Sequence, residues 1–196
     1  MLDAAEAVME KHGVEGLTVR RVAAAAGLSP ANVYRRLRNK EALIGAVFSR
    51  FSQQTAQELA HDIDPAQIRP IGIRVFARKN IAAMIGGFRH RTALIRAAVL
   101  YSQRHPNAPF VKEKTELEIR GFRRMVGVFL LWRDEIHHPD PEYAVGNAMV
   151  LVALALRELI IFDNARMFEQ IVPVDDDHLR QELPRVFLRY LGVEDE

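Results

Sequence analysis

The chain has 196 residues, 49% of them hydrophobic and 27% charged, enough for a small N-terminal module and a larger helical domain with its own core. It contains no cysteine, which excludes a disulfide framework, a thiol nucleophile and the commonest structural zinc sites. A formal net charge of +2 says nothing by itself about partners, so any nucleic-acid signal has to be local.

Asp3, Glu6 and Glu10 stand where a signal peptide would need a basic start and an unbroken apolar core, so a cytoplasmic protein is expected. Periodicity predicts a first helix over about 2–11, with Leu2, Ala5, Val8 and Met9 on one side, ending at His12-Gly13. Thr18 caps a second helix whose apolar face is Val19, Val22, Ala23 and Ala26, and Gly27 supplies the left-handed conformation that ends it. Ser29 followed by Pro30 is the start signal of a third helix, with Val33 and Leu37 facing inward. Helix, three-residue turn and helix is a helix-turn-helix. Asn39 caps a fourth helix that turns Leu43, Val47, Phe48 and Phe51 inward and continues to about Ala60.

Asp64-Pro65 opens the next helix, expected to reach about Ile85 before Gly86-Gly87 breaks it. A shorter helix over 92–102 stops before Pro106, and a long one runs from Pro109 to Trp132 or Arg133. Residues 137–141 form a polar junction, and Asp140-Pro141 begins a helix to about Phe162. The most apolar run, 148–162, is interrupted by Arg157 and Glu158 and reads as too short to span a bilayer. A last helix covers about 176–191, where Pro184 is expected to kink or restart it. The chain reads as all-α, with no convincing strand pair or internal repeat.

Between Thr18 and Arg50 the basic residues are Arg20, Arg21, Arg35, Arg36, Arg38, Lys40 and Arg50, against the single acid Glu41. Such a local positive surface suits phosphate, and with the cap and turn signals it outweighs the reading as a plain solvated face. The exposed start of helix 3 would enter the major groove, which makes Ser29, Pro30, Ala31, Asn32 and Arg35 candidates for base contact. Asn32 suits adenine or phosphate, Pro30 and Ala31 a thymine methyl, and Arg35 or Arg36 guanine or a phosphate anchor.

The segment from Gly13 to Leu43 resembles the tetracycline-repressor family of bacterial transcriptional regulators. The matching residues are Gly13, Thr18-Val19, Val22-Ala23, Ala26-Gly27-Leu28-Ser29, Tyr34 and Lys40-Glu41-Ala42-Leu43. Ala31, Arg36 and Leu37 depart from the family's usual Gly, His and aromatic residue. Members usually carry several residues, often basic, before the first helix; this chain begins at Met1-Leu2-Asp3, inside the equivalent of that helix.

The resemblance implies that Tyr34 and Lys40 contact phosphate, with Thr18 presenting the start of helix 2. It also implies a helix-turn-helix DNA-binding domain over 1–45 and an effector-binding and dimerisation domain over 46–196. The chain would then be a homodimer on operator duplex DNA with inverted half-sites, a repressor released by an unidentified small molecule. Its last two helices would pair across a two-fold axis through Met149, Val152, Ala153, Leu156, Ile160, Leu183 and Phe187. Phe76, Met84, Phe88, Tyr101, Phe122, Met125, Phe129 and Trp132 offer large apolar side chains for an apolar ligand.

Two other classes compete. An enzyme is disfavoured by the lack of a Ser/His/Asp arrangement, a Gly-rich phosphate loop or a dinucleotide fingerprint. No catalytic residue, cofactor or metal is expected: His137, His138, Asp140 and Glu142 around Pro139 do not readily converge on one helical face. A helical protein-interaction or ligand-binding module without DNA-binding activity would explain the apolar C-terminal helices but not the basic N-terminal module.

Overall fold

The structure, a computed structural model, describes residues 1–59 and 64–193. Their regular structure is helical throughout: α1 (Leu2–Gly16), α2 (Val19–Ala25), α3 (Pro30–Arg36), α4 (Lys40–Leu59), α5 (Pro65–Ile68), α6 (Ile73–His90), α7 (Thr92–Arg104), α8 (Pro109–Phe129), α9 (Pro141–Leu156), α10 (Ala165–Phe168) and α11 (Asp176–Tyr190). They pack as two units, Met1–Leu59 with Arg91–Ile119, and Ala60–His90 with Arg120–Glu196.

In the first unit, helical geometry breaks at Gly13, where φ is 65°, and one further turn reaches Gly16. The expected end of α4 at Ala60 lies outside the described residues. α1 packs on α2, α4 and α7. The core joins Met9, Leu17, Val22, Val33, Leu43 and Phe48 to Leu94, Ala98 and Phe110. The Phe48 ring lies 5.2 Å from Phe110 and 5.9 Å from Tyr101. α7 and the start of α8 therefore complete the core of the N-terminal helices. The packing is not divided at residue 45, where α4 simply continues.

Arg50 ties α4 to α1 by bonding Asp3 and lying 3.5 Å from Glu6. Its hydrogen bond and charge hold the Asp3 carboxyl below the ordinary carboxylate range, whereas burial pushes Glu6 up.

In the second unit the helix opened by Asp64 is shorter than expected. It ends at Ile68, passes through a 3-10 turn (Arg69–Ile71) and restarts after Gly72, whose φ is 79°. Pro70 has no N–H for a helical bond, and Gly72 takes the left-handed turn. Conversely, α6 runs through Gly86 and Gly87 to His90. Each glycine costs about 1 kcal/mol relative to alanine, which burial of Ile81 and Ile85 on the other face outweighs.

α11 likewise passes through Pro184 without ending. The missing N–H costs about 3 kcal/mol, offset by burial of Leu179, Pro184, Phe187 and Leu188. α6, α9 and α11 pack on one another. Beside them Phe76 contacts Phe129 at 5.1 Å and Trp132 at 5.2 Å, and Phe129 contacts Phe187 at 4.9 Å. The Trp132 indole N–H donates to the Arg69 carbonyl at 3.1 Å.

α9 continues into a π turn (Arg157–Ile161), so the helical run Pro141–Ile161 has 21 residues. By length and composition it could cross a bilayer, contrary to the shorter run read from the sequence. It is a core helix nonetheless: Ala144, Val145, Ala148, Met149, Val152 and Leu156 are buried within the chain. The histidine junction has a structural use, since the backbone N–H groups of His137 and His138 both donate to the Leu191 carbonyl, at 3.0 and 3.2 Å.

Candidate nucleic-acid interface

The reading head is built by local chemistry. Thr18 Oγ1 accepts the Arg21 N–H at 3.3 Å and starts α2. At its end Leu28 N–H donates to the Ala23 carbonyl at 2.9 Å and Gly27 N–H to Ala24 at 3.3 Å. That crossed pair requires the left-handed φ of 64° which Gly27 supplies. Ser29 Oγ then accepts the Asn32 N–H at 3.3 Å, with Pro30 at the first helical position of α3. Val33 is fully buried and Leu37 half-buried, which fixes the rotation of α3.

With that rotation, Pro30, Ala31, Tyr34, Arg35 and Arg36 are exposed, and Tyr34 shows 55% of its surface. Asn32 is half-buried, and its Oδ1 accepts from Arg35 Nη2 at 3.0 Å. That bond aims the amide and leaves its two N–H donors and a second lone pair for a base edge. Lys40 Nζ donates to the Glu15 carbonyl at 3.2 Å, which spends one of three ammonium protons and leaves two for phosphate. Thr18 is half-buried and occupied as a cap.

Not every cation counted in the sequence serves this face. Arg50 is neutralised by Asp3 and Glu6 on α1. Arg21 holds the preceding loop through the Gly16 carbonyl at 3.0 Å. Arg20 and Arg38, both in the basic set read from the sequence, are exposed.

If Tyr34 and Lys40 anchor the backbone and Asn32 reads a base, the two roles separate experimentally. Lys40→Ala and Tyr34→Phe should weaken binding to all duplexes alike, whereas Asn32→Ala should change preference at one base pair by roughly 1–3 kcal/mol. Competition titrations over single-base variants distinguish them, and an unchanged profile for Asn32→Ala would remove its base-reading role.

The residues expected to meet a ligand do not form one group. Tyr101 belongs to the first unit, with His105 at 4.2 Å and Phe110 at 5.4 Å. The others belong to the second, where Phe129 and Trp132 are fully enclosed with Phe76 against both. Met84, Phe88, Phe122 and Met125 are half-buried, and Met125 Sδ accepts from Asn80 Nδ2 at 3.5 Å.

Of the residues expected to pair two copies, Met149, Val152, Leu156, Ile160 and Phe187 are buried within the single chain, and Ala153 and Leu183 are half-buried. The exposed apolar residues of these helices are Val150, Leu151 and Leu154 on α9 and Val186 on α11. Tyr143 and Tyr190 extend that surface.

A positively faced helix-turn-helix joined to a helical second unit is the architecture of a DNA-binding regulator. Residues 1–47 match the model of the bacterial regulatory proteins of the tetR family, so the N-terminal module is a tetR-family helix-turn-helix. The whole chain has the fold of solved transcriptional regulators. FadR from Bacillus subtilis, in complex with stearoyl-CoA, is 15% identical with a TM-score of 0.65, over 99% of this chain and 97% of its own. PfmR from Thermus thermophilus is 18% identical with a TM-score of 0.59, over 96% of each chain. NalD, the secondary repressor of the MexAB-OprM multidrug efflux pump in Pseudomonas aeruginosa, is 18% identical with a TM-score of 0.60, over 100% and 95%. No curated protein sequence matches the chain.

Proposed function

We propose that the chain is a ligand-responsive, sequence-specific transcriptional regulator that binds operator DNA as a homodimer. The observation that carries this is α3: capped by Ser29, anchored by Val33, and presenting Pro30, Ala31, Tyr34, Arg35 and Arg36 outward. Residues 1–45 are read as the DNA-binding part. Thr18, Ser29 and Lys40 position the module, and Asn32 with Arg35 reads bases.

Pairing is assigned to the exposed stripe of Val150, Leu151, Leu154 and Val186. The buried residues of α9 and α11 serve each copy's own core. Two reading heads related by a two-fold axis would meet inverted half-sites about 34 Å apart, or a longer groove-compatible spacing.

Regulation is assigned to a small, largely apolar effector in the second unit, meeting half-buried Met84, Phe88, Phe122 and Met125. Release from DNA requires the effector to favour one separation of the reading heads. The protein is read as cytoplasmic and non-enzymatic.

Titrating duplex DNA at about 50 and about 200 mM salt tests the DNA reading, because two modules contacting 6–10 phosphates should lose roughly 10³–10⁵-fold in affinity. Affinity indifferent to salt would refute it. Trp132 emission during a ligand screen tests the effector reading, since the indole lies inside the second unit. Unchanged emission and DNA affinity across the panel would remove the sensory role.

A further inference from the structure

An open cleft of about 740 Å³ lies in the first unit between α4 and the corner joining α7 to α8, a size within the ordinary range of small-molecule sites. It contains neither the DNA-facing residues of α3 nor the effector residues proposed in the second unit. Its floor is α4, where Ala42, Gly45 and Ala46 hold the surface low. A Cβ built on Gly45 would meet the Phe110 ring at 3.9 Å. The walls are aromatic: Tyr101 and Phe110 stand with ring centres 5.4 Å apart.

The charges lining this cleft are unevenly paired. Glu41 has no hydrogen-bond or ion-pair partner among the described residues. Glu113 accepts from Ser49 at 2.7 Å and Gln53 at 2.9 Å, two neutral donors that hold its carboxyl below the ordinary range and leave its charge unneutralised. Arg104, 70% exposed at the rim, lies 3.7 Å from Glu15 outside the cleft. The Glu41 charge reaches the wall, adding to the effect of burial in pushing the Tyr101 hydroxyl up. Glu41 itself meets the partial positive charge at the start of α4. An entering cation would meet the Glu41 and Glu113 carboxylates, while Arg104 and the His105 ring, 4.2 Å from Tyr101, stand at the α7 end of the cleft.

We propose that this cleft binds a small amphipathic amine, its ammonium at Glu41 and its aryl or alkyl body on the Gly45–Ala46 floor against Tyr101 and Phe110. Glu41 and Ser49 are eight residues apart on one helix, so the two carboxylates mark opposite ends of a groove about 12 Å long. The apolar floor and rings remove the hydrocarbon body from water, and the aromatic faces favour a nearby cation.

Calorimetric titration of the full chain at pH 7, without DNA, with 4-phenylbutylamine, 4-phenylbutanol and 4-phenylbutyrate tests this. The amine should bind saturably and at least about tenfold more tightly than the alcohol or the acid, a step expected of one charge-assisted hydrogen bond. Glu41→Gln, an exposed substitution, should abolish that preference, and Ala46→Phe should block all three probes by filling the floor. If Ala46→Phe loses its helical signal, Glu41→Gln decides alone. No saturable amine binding, tighter binding of the acid, or an amine preference unchanged by Glu41→Gln would overturn the proposal. Because no DNA is present, none of these outcomes bears on the operator reading.

Discussion

Leu151→Glu should convert the chain into a folded monomer whose operator affinity is roughly 10²–10⁴-fold weaker. Leu151 is 53% exposed on α9, beside exposed Val150 and Leu154 and with Val186 on the partner helix α11. A carboxylate there costs the single chain little, because the side chain already faces water. In a pair related by a two-fold axis the same stripe meets itself, so two carboxylates would be forced together in an apolar interface. Losing the second reading head turns a bidentate complex into a single weak contact. Sedimentation and DNA titration on the same preparation measure both effects. A concentration-independent monomer for the unaltered chain would end the pairing assignment.

The same substitution five residues along should do something different. Leu156→Glu should unfold the second unit rather than dissociate a pair, because Leu156 has no exposed surface in the single chain. A glutamate at this fully buried position gives up the water that stabilises its charge. Its burial then costs several kcal/mol, comparable with the roughly 5–15 kcal/mol that holds a domain folded. A thermal melt and Trp132 emission read this directly, since the indole is 1% exposed and bonded to the Arg69 carbonyl. The red shift of a hydrated indole is expected. An unshifted melt with a monomeric product would return Leu156 to the pairing surface.

The reading head was legible residue by residue because its signals are short-range. Thr18, Gly27, Ser29 with Pro30, and Asn39 each act on backbone groups within about one helical turn, and each has that role in the structure. Buried Val33 follows from the same local pattern, which is why the outward set on α3 could be named without tertiary information. The glycine and proline positions of the second unit were less legible. Gly86-Gly87 and Pro184 are local breakers, but packing of Ile81 and Ile85, and of Leu179 and Phe187, overrides them.

The sequence alone therefore determined the helical class, the helix-turn-helix and the cationic face, all properties of neighbours along the chain. Only the tertiary structure decided which cations remain for DNA, because Arg50 is neutralised by Asp3 and Glu6 more than 40 residues away. It also decided that residues 91–119 complete the N-terminal core and wall one side of the open cleft beside α4. On α9 the limit is geometric: a helix apolar around most of its circumference carries no periodicity to say which side faces inward. Packing on α6 and α11 turns Met149, Val152 and Leu156 into core and leaves Val150, Leu151 and Leu154 at the surface.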